Sequence, residues 1–166
     1  MSTPKILLFG YGNPGRGDDG LGPAFALSVG EMKLPDVECQ TDMQLQVEHV
    51  LDMQGRNIVL FVDADMSCET PFEFSEITPE KDSSYSSHAM TPQALLHSCS
   101  SVLNEQPSAT FLLRIRGERF ALGDDLSPAA CNHLKLALKC VEPLCESHSP
   151  ELWRGFLSPT EKACSD

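Results

Sequence analysis

Residues 5–23 read KILLFGYGNPGRGDDGLGP, and the way this stretch changes character decides the fold. Residues 5–10 form a short apolar run of the kind that buried central strands show, and it ends in glycines. A helical stripe follows: Leu21, Phe25, Val29 and Met32 recur on one side of a helix expected to start near Asp18 and to end before Pro35. A strand, a glycine-rich turn and a helix in this order open a parallel α/β unit. Gly10 and Gly12 match the start of the nucleotide pattern GxGxxG, but position 15 is followed by Arg16, Gly17, Asp18 and Asp19 instead of an apolar helix start. No GKS or GKT follows, so a Walker loop is excluded. Two carboxylates at a helix N-terminus compete with phosphate for the same amides, and the loop is read as one for a cation.

The same alternation continues along the chain. Residues 57–64 (NIVLFVDA) and 110–115 (TFLLRI) are further buried-strand candidates, residues 36–42 suit an outer strand, and residues 72–77 suit a short half-exposed one. Thr91-Pro92 and Ser127-Pro128 each pair an N-cap with proline at the first helical position. Leu95, Cys99 and Val102 follow the first on one face, and Cys131, Leu134, Leu138 and Val141 follow the second. The expected architecture is a three-layer α/β/α sandwich on a mostly parallel sheet. Sites in such sheets collect beyond the carboxyl ends of strands, which puts residues 13–19, Asp63 and the polar segment carrying His88 on one rim. The polar connection at 78–87 suits a rim or lid around that site.

The whole chain narrows the function classes. Its 166 residues suit one domain. Residues 1–148 are read as that domain and 149–166 as a polar tail, either flexible or docked. A formal net charge of −12, from 24 acidic and 12 basic residues, disfavours nucleic acid as a partner. The N-terminal apolar run is too short for a secretory signal and no later one approaches a membrane span, so a cytoplasmic location is expected. Seven cysteines, an odd number with no CxxC pair, suit mostly reduced side chains, several of them small core residues.

Individual side chains then sort by chemistry. Asp18 is expected to cap the helix N-terminus, whereas a second carboxylate at Asp19 is less readily explained that way. Asp63 ends an almost wholly apolar strand, where a buried acid needs a partner. Asp65 is expected on the opposite side of that strand. His49 and His148 read as ordinary polar positions, His97 and His133 as helix-face residues, and His88, just ahead of a helix, as the best-placed ligand. Asp19, Asp63 and His88 offer two oxygens and one imidazole, suited to nickel, zinc, iron or manganese with a coordination position left open.

The assembled motifs GYGNPGRGDDGLGP (10–23), FVDADMS (61–67), SSHAMTP (86–92) and RGERFALGDDLSPAA (116–130) resemble, in order, the hydrogenase maturation endopeptidases that finish the large subunit of nickel-iron hydrogenases. The resemblance implies a twisted five-stranded sheet and a peptidase. It makes Asp19, Asp63 and His88 the catalytic and metal-binding set, with Gly12 and Asn13 supporting the loop or the substrate. Some relatives carry glutamate at the first position, so Asp19 keeps the chemistry with a shorter reach. The implied substrate is a large-subunit precursor that brings its own nickel and loses a C-terminal extension, and transient contact with other maturation factors is expected. Another divalent metal would suit the same donors.

Rival readings are a metal-dependent peptidase of another substrate class and a non-enzymatic nickel-binding maturation factor. The string GNPG also resembles peptidyl-tRNA hydrolase, but the next histidine is His49 and the net charge is strongly negative. Cys68 has no nearby histidine in sequence to form a dyad, and no GxSxG motif is present.

Overall fold

The computed structural model describes residues 3–81 and 90–157. In chain order the elements are β1 (Ile6–Tyr11), α1 (Leu21–Glu31), β2 (Val37–Asp42), α2 (Val50–Met53), β3 (Ile58–Asp65), β4 (Phe72–Glu76), α3 (Pro92–Leu103), β5 (Ala109–Arg116), α4 (Pro128–Val141) and α5 (Pro150–Arg154). The sheet has five strands in the order β2-β1-β3-β5-β4, parallel except for β4, which runs antiparallel to β5. This is the α/β architecture expected from the sequence.

Alternation along the strands divides the core into two layers. One face presents Leu8, Leu60, Val62 and Phe111 to Phe25 and Val29 of α1 and to Ala137 and Val141 of α4. The other presents Leu7, Phe9, Val59 and Phe61 to Val50 and Met53 of α2 and to Leu95, Leu96 and Cys99 of α3. Thr91 and Ser127 cap α3 and α4 as expected, their hydroxyls accepting from Ala94 N at 3.0 Å and Ala130 N at 3.1 Å.

Several expectations change. The helix expected from Asp18 begins as a 3-10 turn over Gly17–Gly20 and becomes α-helical only at Leu21. Val102 is 66% exposed, so the buried stripe of α3 stops at Cys99. Asp65 shares the face of Asp63, because residues two apart on a strand point the same way. In the described part of the segment read as a flexible or docked tail, residues 149–157, Trp153 is fully buried, its ring centroid lies 5.4 Å from that of Phe111, and its indole N–H donates to Ser147 O at 2.8 Å. Among the described residues no helix is long and apolar enough to cross a membrane.

Candidate active site

The connection after β1 turns to one side, toward β2, while β3 lies on the other, so the sheet order reverses between β1 and β3. Open α/β sheets bind ligands at such a switch point. The loop after β1 carries Asp19 there, and the carboxyl end of β3 carries Asp63.

Two close approaches shape the loop. Gly12 has φ of +144°, and a Cβ on it would stand 2.0 Å from the Asp19 carbonyl oxygen. At Gly22 a Cβ would come within 2.5 Å of both Tyr11 O and Val62 O, so α1 starts directly on the ends of β1 and β3. Asn13 closes the turn, its Oδ1 accepting from Gly15 N at 2.8 Å while its own N–H donates to Asp19 Oδ2 at 2.7 Å.

The amides of this loop are already committed. Gly12 N donates to Asp42 O, Arg16 N to Asn13 O, Gly17 N to Asp124 O, Asp18 N to Arg119 O and Asp19 N to Arg16 O. With Asn13 N and Gly15 N also bonded, the glycine-rich turn keeps no N–H cluster for a phosphate. Its chemistry is that of the carboxylates it presents.

Those carboxylates differ in what holds them. Asp18 is fully buried and accepts from Glu118 N (2.7 Å), Arg119 N (3.0 Å), Ser127 N (2.7 Å) and Ser127 Oγ (2.7 Å). Burial pushes its carboxyl up, but these four bonds together outweigh it and hold the group below its ordinary value. The expected helix cap is therefore a staple between the β1 loop and the β5–α4 connection. Asp65 is likewise spent, accepting from Ser67 N and Ser67 Oγ, both at 2.7 Å, and from Arg114 at 3.1 Å. Arg114 also pairs with Glu73.

Asp63 has fewer anchors. Its Oδ1 accepts from Ala64 N at 2.8 Å, and the Tyr11 hydroxyl donates to the carboxylate. Burial, followed by the charges of Asp19 and Asp65, pushes Asp63 up to about 7 against the pull of those two donors. Burial and the Asp63 charge in turn push the Tyr11 phenol well above its ordinary value, so it stays a donor. Asp19 and Asp63 thus sit close enough to repel in a half-buried place, an arrangement that a divalent cation relieves.

The third expected ligand, His88, lies outside the described residues. Among the described residues no three metal-ligating side chains come together. Tyr11 is the site residue that the sequence reading missed. Its signal was the alternation Leu7, Phe9, Tyr11, which puts it on the face of the neighbouring Asp63. Cys68 is buried, with its thiol pushed up to about 12 chiefly by burial, so it is no nucleophile.

No family model matches the chain, and no curated protein does either. Solved structures do match. One described as a NiFe hydrogenase maturation protease, HycI from Thermococcus kodakarensis KOD1, superposes with a TM-score of 0.69 at 19% identity over 87% of this chain and 94% of that one. The chain has the fold of the hydrogenase maturation proteases. The hydrogenase maturating endopeptidase HybD from E. coli matches with a TM-score of 0.62 at 20% identity over 87% of this chain and 94% of that one. The endopeptidase HycI from E. coli matches at 0.64 and 18% identity, covering 90% and 94%.

Proposed function

We propose that this protein is an endopeptidase that recognises nickel carried by a hydrogenase large-subunit precursor and removes the precursor's C-terminal extension. The observation that supports it most is the pairing of Asp19 and Asp63 at the β1/β3 switch point. The neighbouring acids Asp18 and Asp65 are hydrogen-bonded into the framework, and the amides of Gly12, Asn13 and Gly15–Asp19 are consumed.

The donor set fits a borderline divalent cation. Carboxylate oxygens from Asp19 and Asp63, with the imidazole of His88, would hold the substrate's nickel and leave a position open. When bound, the ion supplies Lewis-acid polarisation of the scissile carbonyl or an activated water. The chain's own contribution is positional. Asn13 N–H fixes one Asp19 oxygen, and Tyr11 O–H with Ala64 N–H fixes the Asp63 carboxylate. Such outer partners orient metal-binding groups and hold their remaining lone pairs toward the ion.

Incubating the protein with nickel-loaded and nickel-free precursor is expected to shorten only the former. Asp19→Ala, Asp63→Ala and His88→Ala are each expected to lower cleavage by at least about 100-fold, the scale of losing a catalytic electrostatic contact. Unchanged cleavage in all three variants would falsify the site. Tight nickel binding without any change in precursor length would instead identify a maturation factor that is not a peptidase.

A further inference from the structure

Each carboxylate of the proposed cation pair reaches the site with part of its surface already occupied. A carboxylate has two oxygens and about four lone-pair positions. On Asp19, Oδ2 accepts Asn13 N–H at 2.7 Å, while Oδ1 lies over Gly12, where a Cβ would stand 3.5 Å away, and no donor among the described residues reaches it. On Asp63, Oδ1 accepts Ala64 N–H at 2.8 Å, and the Tyr11 hydroxyl donates to the same carboxylate. The two backbone donors come with the turn of the chain. The third depends on one side chain, since a phenylalanine at position 11 would keep the ring but not the bond.

Several contacts hold that hydroxyl in place. Tyr11 ends β1 one step beyond the Gly10–Val62 pair, so it stands beside Asp63 on the same face of the sheet. Its ring packs against the layer that contains Leu7 and Phe9. Its backbone is pinned by the start of α1: a Cβ on Gly22 would lie 2.5 Å from Tyr11 O and 2.9 Å from Tyr11 N.

The consequence is one of denticity. Calcium-like cations take about six to eight oxygens and use both oxygens of a carboxylate where they can. Nickel and zinc accept imidazole and settle in sites of about four donors. A nickel ion carried by a precursor keeps ligands there and has few positions to fill. Two carboxylates that each offer one oxygen suit that ion and leave a calcium-like cation short of oxygens.

We propose that Tyr11 is a specificity-determining residue of the cation site, its hydroxyl confining Asp63 to a single-oxygen ligand and so turning away cations that need many oxygens. It acts as a positioning residue through Asp63, and the proposal rests on the cation-site reading above.

Tyr11→Phe tests it without a cleavage assay. Ca²⁺ and Ni²⁺ dissociation constants are measured by isothermal titration calorimetry for wild type and variant at one pH, so that a proton competing for Asp63 affects both cations alike and cancels in their ratio. The ratio of the Ca²⁺ to the Ni²⁺ constant is expected to fall about tenfold in the variant, the lower end of what an outer partner does to metal affinity. Tb³⁺, a calcium-like probe, reports the waters left on the ion through its directly excited luminescence lifetimes in H₂O and D₂O. Tyr11→Phe is expected to remove about one water, displaced by the second Asp63 oxygen. Tyr11→Leu supplies a second variant without the hydroxyl and should shift both readouts the same way, with Trp153 emission confirming that each variant is folded. An unchanged ratio, or a changed ratio with an unchanged water count, overturns the role of Tyr11; the cation site itself stands if Asp19→Ala still abolishes Ni²⁺ binding. Wild type that takes up neither cation at millimolar concentration overturns the site and the proposal together.

Discussion

Asp18 and Asp19 are neighbours of one residue type with opposite fates. Asp18 spends its oxygens on three backbone amides and the Ser127 hydroxyl, and that hydroxyl in turn caps α4 through Ala130 N. Replacing it by Asn turns an amide N–H₂ toward donors that need an acceptor. The expected cost is about 2–4 kcal/mol at pH 7, from lost charge-assisted bonds and a stranded donor. The sign of the pH dependence follows from the lowered folded-state value. The stabilisation is full above the unfolded carboxyl value of about 3.9 and is lost as pH falls through the lower folded value. Urea midpoints of wild type and Asp18→Asn, measured from pH 7 to pH 3, should therefore converge below about pH 4. A gap that persists unchanged to pH 3 would remove the charge from the explanation. Local pattern could not separate the two acids, because the partners of Asp18 lie some hundred residues away at Glu118, Arg119 and Ser127. The position of Asp63 was legible, because the apolar run before it reads as a buried strand and puts the acid at the sheet's carboxyl edge.

At the level of elements, α5 is the piece whose role the sequence conceals most. Five residues form no stable helix in isolation, so nothing local marks Pro150–Arg154 as structured. The information lies in one side chain: Trp153 fills the first core layer against Phe74 and Phe111, at ring-centroid distances of 6.2 and 5.4 Å. The outer strand β4 is the complementary case, since residues 72–77 already read as a short half-exposed strand, and Phe72 and Phe74 are the side chains it buries. Trp153→Ala removes the largest buried side chain and is expected to cost about 3–5 kcal/mol. The loss should appear as a lower urea midpoint with an unchanged m-value. Trp153 is the single tryptophan, so its fluorescence reports this packing directly. Native emission should be blue-shifted and resist acrylamide until global unfolding. Quenching at native conditions, or a destabilisation below about 1 kcal/mol, would show that α5 is no part of the cooperative core.

For the molecule as a whole, the dominant long-range quantity is charge. With 24 acidic against 12 basic residues, the folded chain carries a formal −12 at pH 7. The described ion pairs are local: Arg114 with Asp65 and Glu73, Arg56 with Glu38, and Arg154 with Glu76. Such pairs leave the net excess untouched, and its self-repulsion opposes compaction. A domain of this length has a radius of gyration of about 15 Å. The Debye length is about 30 Å at 0.01 M salt and about 8 Å at 0.15 M. At low salt every acid therefore senses most of the others, while at physiological salt only neighbours interact. Raising NaCl from 10 to 150 mM should accordingly raise the melting temperature, by about 3 °C for each kcal/mol of repulsion screened. The attractive pairs are screened too, so the sign reports which class dominates. A falling melting temperature would mean that the ion pairs outweigh the net charge. A rise would show that the fold tolerates standing repulsion, part of which Asp19, Asp63 and Asp65 concentrate at the one sheet edge where a cation is proposed to arrive.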